Sequence, residues 1–379
     1  LFPGSTFGDI HAEIQAEEDN QGTIASTVTG TAANDSIHGK GGHDILNGGD
    51  GDDRLFGGSK PGQPFDDGPG NDTLNGDAGD DLLVGGIGDD TLNGGDDDDT
   101  LVGGDGSDVN NGGAGNDTIV YNSAAEFGAT ESVDGGADVD TILFNGTGTE
   151  SLTLDDVTNV ENVTLGGSDD IGVDASALTE GMTFNGNAGA NTIVGTSDAD
   201  AIFGNDGADT ITGGDGADEI DGGTGTDTVE YAVSSTQATV AFNTGTQSWE
   251  ITIGGVTDTL TGVEKLTFAG DNKAFLLVGG GSEFNLNDAV AAADENGGDT
   301  IWIGSGDNAS GGSQVVIDRD VTITGMGREV TTLNADFSTT SGNGGNDNGA
   351  WILVQAGKSL TISDLSLDGT GETIGAAIR

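Results

Sequence analysis

Residues 76–120 read GDAGDDLLV, GGIGDDTLN, GGDDDDTLV, GGDGSDVNN and GGAGNDTIV, which are five consecutive units of nine residues. Every unit has glycine at position one and aspartate at position six, and four of the five have an aliphatic residue at position eight. A short fixed period is typical of a solenoid, in which each repeat is one structural unit stacked on the next. The period therefore predicts the architecture before any residue propensity is considered.

The nine positions divide into a turn and a strand. Positions one to six are rich in glycine, which adopts the positive φ of tight turns without steric cost. Positions seven to nine place one apolar side chain between two polar ones, as in a short strand with one buried face. Two units then make one coil, and successive coils stack in parallel about 4.8 Å apart. The stack is expected to form two columns of aspartates, Asp81, Asp99 and Asp117 in one and Asp72, Asp90 and Asp108 in the other.

Stacked turns bring carboxylates close together. Two carboxylates about 4.8 Å apart repel by roughly 3–4 kcal/mol at an effective dielectric of about 20. Between Asp44 and Asp117 the sequence has 19 acidic residues and only two basic ones, Arg54 and Lys60. Calcium takes six to eight oxygen ligands, which carboxylates and the carbonyls of glycine turns can supply. We therefore predict calcium ions between stacked turns, with each half-site completed by the next coil.

The predicted calcium ligands are the aspartates at position six and the glycines of the turns. In the first block they are Asp35, Asp44, Gly48, Gly49, Gly51, Asp53, Asp72, Gly76, Gly79, Asp81, Gly85, Gly86, Gly88, Asp90, Gly94, Gly95, Asp99, Gly103, Gly104, Gly106, Asp108, Gly112, Gly113, Gly115, Asp117 and Asp140. In a second block, which contains GNDGADTIT, GGDGADEID and GGTGTDTVE, they are Asp200, Gly204, Gly207, Asp209, Gly213, Gly214, Gly216, Asp218, Gly222, Gly223, Gly225 and Asp227. In this second block we expect Asp200 to pair with Asp218, and Asp209 with Asp227.

These units resemble the nonapeptide calcium-binding repeats of RTX (hemolysin-type) proteins. A single match would carry little weight, but both blocks consist of such units one after another. The resemblance implies a parallel β-roll that binds several calcium ions. It also implies export from a Gram-negative bacterium by type I secretion, which takes one step, so the expected location is extracellular or on the cell surface.

Two places depart from the period. Residues 57–66, GGSKPGQPFD, are ten long and contain two prolines, and Gly62 falls where the metal carboxylate should be. We therefore predict a bulged loop, a break in the column that joins Asp44 to Asp81, and a missing or weakened ion. Asn110 stands at an apolar position and indicates a softer coil.

The second block begins with its own departure. Asn191 stands at position six of the unit GNAGANTIV, where the other units have aspartate. An amide carries no charge, so this position predicts a weaker half-site in the terminal unit that starts the block.

Composition limits the kinds of partner. The chain of 379 residues has 66 acidic and 9 basic residues and a formal charge of −57, which excludes nucleic acid and anionic membranes as default partners. With 72 glycines and 5% aromatic residues it could also be an acidic disordered tail. Disorder, however, does not require an aliphatic residue at every ninth position. Both interpretations hold if the chain is unfolded without calcium and folded with it.

Stability and targeting follow from what the sequence contains. There is no cysteine, so an exported protein of this kind would depend on metal and stacking rather than on disulfides. No run of apolar residues is long enough to predict a membrane span, and no secretory signal peptide is visible. Because the chain starts at Leu1 and ends within an apparent strand, we expect it to be a fragment of a longer protein.

Other sites are less compatible with the sequence. His11, His38 and His43 are expected to be solvated rather than metal ligands, and no HExxH occurs. No loop supplies glutamate at its twelfth position between two helices, which excludes an EF-hand. No GKS or GKT follows the glycine runs, which excludes a phosphate-binding loop.

The remaining segments also read as β-structure. Strands SLTL, NVENVTL and IGV follow the first block, and DTLTGVEKLTF resembles the strand module that follows RTX arrays and would cover the open end of a roll. NLNDAVAAADENGG suits a helix with Asn285 as N-cap and Asp288 three residues later. The helix and the strands TIWI and DVTITG resemble the opening of a right-handed parallel β-helix of the pectin-lyase type, in which the helix would plug the first coil.

The predicted fold is all-β, a parallel β-roll solenoid in two blocks with an antiparallel β cap and the first coils of a β-helix. Six segments are expected: a linker or tail of a preceding domain at 1–28, where 9–18 would also suit a short helix, the first roll at 29–143, calcium-free coils at 144–185, the second roll at 186–231, the cap at 232–280 and the truncated β-helix at 281–379.

Two functions are compatible with this organisation. The first is a secreted calcium-binding solenoid with a structural or adhesive role, whose partners are calcium and, in the larger protein, polysaccharide or cell-surface components. The alternative is a secreted polysaccharide lyase or epimerase with its active site on missing β-helix coils. The β-helix segment has no histidine or tyrosine, and its basic residues form no catalytic constellation; they are Arg319, Arg328, Lys358 and Arg379.

Overall fold

The computed structural model is almost entirely β-sheet. It describes residues 13–15, 25–58, 70–127, 130–279, 285–293, 299–304, 306–307, 315–317, 320–325, 331–334, 352–354, 360–363 and 366–368. The chain forms two units, Leu1–Asn185 and Gly186–Arg379. This architecture confirms the all-β solenoid predicted from the nine-residue period.

In the first unit every strand pair is parallel. One sheet stacks the strands Glu13–Gln15, Ser36–His38, Arg54–Phe56, Leu82–Ile87, Thr100–Asp105, Thr118–Tyr121, Thr141–Phe144, Asn162–Leu165 and Thr183–Asn185. A second sheet stacks Thr27–Thr29, Ile45–Asp50, Thr73–Ala78, Thr91–Asp96, Val109–Ala114, Ser132–Ala137 and Val157–Thr158. The strands Ser151–Thr153 and Gly172–Asp174 pair separately, and a 3₁₀ helix spans Ala124–Glu126.

The core of this unit lies between the two sheets. Because side chains alternate across a strand, position eight of each unit points inward while its two neighbours point outward. The position-eight residues of the block are 0% exposed; they are Ile37, Leu46, Leu55, Leu74, Leu83, Leu92, Leu101, Asn110 and Ile119. One aliphatic side chain per half-coil therefore builds a continuous core.

The break predicted between Asp44 and Asp81 is wrong. Ile45 pairs with Thr73 and Arg54 pairs with Leu82, so both strands skip the ten extra residues and keep their pairing. The backbone N–H of Asp44 donates to Asp72 at 2.7 Å. Strand pairing and the inward leucines therefore set the register on both sides of the ten additional residues. The bulged loop itself lies outside the described residues, which omit 59–69.

The structure of this unit bears on two further expectations, for residues 9–18 and for Asn110. The short helix considered for 9–18 is wrong, since Glu13–Gln15 form a strand that pairs with Ser36–His38. The strand Val109–Ala114 pairs in register on both sides, so Asn110 does not interrupt the coil. Its amide instead joins a buried polar cluster described below.

The second unit combines parallel and antiparallel strands. One sheet contains, in order, Ala201–Phe203, Glu219–Asp221, Val256–Thr261, Ser248–Ile253 and Ala238–Asn243. In this sheet Ser248–Ile253 runs antiparallel to both of its neighbours. The other contains Thr192–Val194, Thr210–Thr212, Thr228–Tyr231, Lys265–Phe268, Lys273–Val278, Thr300–Ile303, Val321–Gly325 and Leu360–Ser363. Two small parallel stacks hold Gly306–Asp307, Thr331–Asn334 and Ser366–Asp368, and Val315–Ile317 with Ile352–Val354. A 3₁₀ helix spans Ser235–Gln237.

The antiparallel strands and the helix of this unit agree with the sequence. Lys273–Val278 runs antiparallel to Lys265–Phe268, as expected of the cap segment. The helix Leu286–Ala292 begins after Asn285, whose side chain accepts the N–H of Asp288 at 3.2 Å, which confirms the N-cap. Its apolar face packs on a cluster that includes Leu276 and Ile301. The resemblance to a pectin-lyase β-helix remains a prediction.

Candidate calcium centres

Two columns of aspartates run along the first unit. The Oδ1 atom of each aspartate accepts the backbone N–H of the aspartate one coil earlier, as Asp90 does from Asp72 at 2.7 Å. Asp99 accepts in the same way from Asp81 at 2.8 Å. The two columns expected from the period are therefore confirmed, and these hydrogen bonds hold each aspartate in one orientation.

The columns are longer than the nonapeptide pattern. The first contains Asp35, Asp53, Asp81, Asp99, Asp117, Asp140 and Glu161, and the second contains Asp44, Asp72, Asp90, Asp108 and Glu131. The second unit contains Asn191, Asp209, Asp227 and Glu264 in one column, and Asp200, Asp218 and Asp258 in the other. The pairs expected there, Asp200 with Asp218 and Asp209 with Asp227, are confirmed.

The carboxylates that end the columns were missed by sequence reasoning. Glu131, Glu161, Asp258 and Glu264 lie 21 to 40 residues beyond their partners, whereas regular neighbours are 18 apart. A search at a fixed period cannot find them. A signal was nevertheless present, because Glu161 and Glu264 both stand in the phrase Val-Glu followed by a polar residue, an aliphatic residue and threonine.

The second carboxylate oxygen of most of these aspartates lacks a partner. Among the described residues no hydrogen bond reaches the Oδ2 atoms of Asp44, Asp53, Asp81, Asp90, Asp99, Asp108, Asp117, Asp140, Asp209 and Asp218. Each of these side chains is at most 3% exposed. An unsatisfied buried carboxylate oxygen is costly, so a repeated set of them indicates a charged ligand.

The surroundings of these oxygens fit a hard cation. A Cβ atom added to Gly85 would collide with Asp90 Oδ2 and would lie 2.7 Å from the carbonyl oxygen of Gly103. The same arrangement recurs at Gly94, where a Cβ would meet Asp99 Oδ2 and the Gly112 carbonyl at 2.5 Å. Glycine at position one is thus required because carboxylate and carbonyl oxygens converge there. Such oxygens are the ligands that calcium takes in proteins.

Backbone carbonyls must supply much of each site. No three histidine, aspartate or glutamate side chains gather around one point in the described part of the chain. Each turn contributes one carboxylate, and calcium needs six to eight oxygens. Most glycines at positions two and four have positive φ, for example 117° at Gly86 and 142° at Gly88, which gives the turn its shape. Which glycine carbonyls bind calcium remains a prediction.

Burial changes the acidity of the columns. Desolvation raises the pKa of Asp90 to about 7 and that of Asp99 to about 8, although a backbone hydrogen bond from the preceding coil opposes the shift. Neighbouring carboxylates, Asp72 for Asp90 and Asp81 for Asp99, raise both pKa values further. A bound divalent cation would neutralise this repulsion and hold the carboxylates in their ionised form.

Two of the predicted ligands differ from the others in the hydrogen bonds that their carboxylates accept. Asp35 and Asp200 lie in the columns, but their Oδ2 atoms accept hydrogen bonds from within their own turns, from Thr31 and Thr196. His43 Nδ1 accepts the N–H of Asn71 at 2.9 Å, and His38 stacks on Phe56 with ring centroids 4.7 Å apart. His11 lies outside the described residues.

A tyrosine closes one column in each unit. Glu131 accepts the N–H of Asp108 at 2.7 Å through Oε2, and its Oε1 accepts the hydroxyl of Tyr121 at 3.0 Å and the amide of Asn110 at 2.9 Å. In the second unit Asp258 accepts the N–H of Asp218 at 3.2 Å and the hydroxyl of Tyr231 at 2.9 Å. Hydrogen bonds therefore satisfy the carboxylate at these two ends.

A family match agrees with this geometry. The family described as RTX calcium-binding nonapeptide repeat matches residues 29–59, 65–92, 84–119, 183–211 and 194–229. A similar solved structure is the extracellular lipase LipA from Serratia marcescens, at 14% identity and a TM-score of 0.25 over 66% of this chain, which spans 40% of the length of that lipase. A search of curated proteins finds no match. Within the described residues no helix is long and apolar enough to cross a membrane.

Proposed function

Because the chain carries RTX calcium-binding nonapeptide repeats in both units, we propose that it is a secreted solenoid that folds on extracellular calcium. The observation that carries this proposal is the set of buried Oδ2 atoms that lack a hydrogen-bond partner among the described residues, several of them beside a glycine carbonyl of the next coil. Calcium-binding extracellular modules have dissociation constants of roughly 10⁻⁴–10⁻³ M, so such sites fill outside a cell and stay empty in a cytosol.

The chain's own residues prepare the sites. Asp90 Oδ1 is held by the N–H of Asp72, which leaves Oδ2 directed to the space between Gly85 and the Gly103 carbonyl. Bound calcium supplies positive charge that neutralises stacked carboxylates. Without it the repulsion within each column opposes stacking, so folding and binding are coupled.

We assign the solenoid a structural or adhesive role in a larger cell-surface or matrix protein. Two features support this role: a repetitive core of stacked strands in each unit and a formal charge of −57, which keeps the surface solvated. Polysaccharide and cell-surface components are the proposed partners of the larger protein.

A polysaccharide-modifying enzyme is the second candidate. It is favoured by the strands beyond residue 300, which pair in parallel in three separate stacks, as a parallel β-helix requires. The full-length protein would then cleave or epimerise an acidic polysaccharide in a calcium-dependent assay. A full-length protein that binds such polysaccharides without altering them supports the adhesive role instead.

A calcium titration followed by far-UV circular dichroism tests the main proposal. In excess chelator the β-sheet signal should be lost, and calcium at about 1–10 mM should restore it. Magnesium is the control, since it demands a smaller octahedral site with water ligands and should not replace calcium. An unchanged β signal in chelator, or equal recovery with magnesium, would contradict calcium-driven folding.

A further inference from the structure

The second residue of each nonapeptide adopts one of two backbone conformations. In most units this residue has positive φ, as at Gly86 with 117°, Gly214 with 113° and Asn205 with 72°. Thr31, Asn187 and Thr196 occupy the same position and do not have positive φ. Gly58, also a second residue, lacks positive φ as well, but its N–H donates to the Gly85 carbonyl at 2.9 Å. The direction of the N–H of residue two, and not φ alone, therefore separates the units.

Positive φ at residue two accompanies an open carboxylate. Asp90, Asp218 and Asp209 follow Gly86, Gly214 and Asn205, and no described residue donates a hydrogen bond to their Oδ2 atoms. The same holds where the second residue is charged. Lys40 and Asp77 have φ of 76° and 79°, and the Oδ2 atoms of their aspartates are open as well.

In three units the N–H of residue two closes the side chain at position six. The N–H of Thr31 donates to Asp35 Oδ2 at 2.6 Å, and the N–H of Thr196 donates to Asp200 Oδ2 at 2.7 Å. Both threonine hydroxyls donate to the same oxygens, at 2.9 Å and 3.2 Å. In the unit that starts at Gly186, the N–H of Asn187 donates to Asn191 Oδ1 at 2.7 Å.

The approach of the carboxylate to the carbonyl does not differ between the two states. A Cβ added to Gly195 would collide with Asp200 Oδ2 and with the Gly213 carbonyl, as it would with the corresponding atoms at the open sites. The carboxylate and the carbonyl therefore converge in both. Residue four does differ: it has positive φ in the open units, as at Gly88 with 142°, and not at Ala33, Gly189 or Asp198 in the closed units. At residue two, an N–H directed at Oδ2 occupies the position from which a cation would bind.

We propose that residue two selects whether its nonapeptide binds calcium, and that threonine at this position makes the unit calcium-free. A β-branched residue rarely adopts positive φ, so threonine favours the closed state. Asparagine occurs in both states, at positions 187 and 205, and does not decide by itself. The closed units start at Gly30, Gly186 and Gly195, which are the first units of the two blocks.

This inference rests on the proposed function, and counting bound ions tests both. Calcium is titrated into the full chain by equilibrium dialysis, and the number of ions per chain is compared among variants. Asn205→Thr should bind one ion fewer than the wild type, because the closed turn covers Asp209. Asn205→Gly is the matched control: it also loses the side-chain bond to the Gly186 carbonyl but keeps positive φ, so its ion count should not change.

The opposite substitution should create a site. Thr196→Gly removes the closing hydroxyl and permits positive φ, so one additional ion should bind at Asp200; Thr31→Gly should do the same at Asp35. Circular dichroism at saturating calcium checks the fold of each variant, and the two glycine variants decide the question if Asn205→Thr fails to fold. Equal ion counts in all variants would overturn the inference while leaving calcium binding intact, whereas a wild type that binds none would overturn the proposed function.

Discussion

Replacing Asp90 by asparagine should remove one calcium ion, while the same change at Asp89 should not. Both residues lie in one turn, and each substitution removes one negative charge. Asp90 is 1% exposed and has its Oδ2 atom beside the Gly103 carbonyl. Asp89 is exposed, and its Oδ1 accepts the N–H of Ser107 at 3.1 Å. Asp89→Asn is therefore a matched control for the charge.

The size of the effect follows from linkage between binding and folding. One ion with a dissociation constant of roughly 10⁻⁴–10⁻³ M stabilises the folded chain by about 1.4–2.7 kcal/mol at about 10 mM calcium. Near saturation each ion also contributes about 1.4 kcal/mol to the free energy of unfolding for every tenfold rise in calcium. Asp90→Asn should therefore lower the calcium dependence of the unfolding free energy by about 1.4 kcal/mol for every tenfold rise in calcium, the contribution of one ion.

Urea unfolding at two calcium concentrations measures the difference. Far-UV circular dichroism is the suitable signal because the three tryptophans, at 249, 302 and 351, lie outside the first block. The calcium dependence of the unfolding midpoint is compared among the wild type, Asp90→Asn and Asp89→Asn. If the two variants lose the same amount, or if Asp90→Asn behaves as the wild type, the assignment of Asp90 as a calcium ligand is wrong.

Two further predictions concern protons and the column ends. In chelator, the β-sheet signal should increase as the pH falls from about 8 to about 4. Burial raises the pKa of Asp90 to about 7 and that of Asp99 to about 8, both higher than in the unfolded chain, so the stabilisation is complete below about pH 4 and is lost as the pH rises through about 7–8. A flat pH profile would contradict this prediction. Tyr231→Phe leaves Asp258 Oδ2 without its hydroxyl donor and should lower the unfolding free energy in saturating calcium by about 1–3 kcal/mol; a change below about 0.5 kcal/mol would contradict the role of this tyrosine.

Much of the fold can be read from the period because the period is itself a physical constraint. An aliphatic residue such as Leu92 at position eight and glycine such as Gly85 at position one are needed in each coil, one for the core and one where oxygens converge. Their recurrence therefore predicts both the strands and the two aspartate columns. The helix after Asn285 is equally local, since its cap depends on residues three apart.

The features that the period could not predict depend on contacts between residues whose separation along the sequence varies. Counting nine residues through 57–66 assigned Asp44 to the wrong column, because the count ignores that strand pairing sets the register. Glu131 and Asp258 complete columns across segments of irregular length and cannot be found by spacing. The closed state at Thr196 depends on the direction of one backbone N–H, which consensus glycine positions do not reveal.

The described chain on either side of residues 59–69 has a practical consequence for engineering. Gly58 and Gly70 are each bonded to the following coil, Gly58 to the Gly85 carbonyl at 2.9 Å and Gly70 to that of Ile87 at 3.0 Å. The aspartate columns keep their hydrogen bonds across the ten additional residues of the sequence. A guest peptide grafted into the equivalent turn of another coil would be displayed on the edge of the scaffold, at a height chosen in steps of one strand spacing.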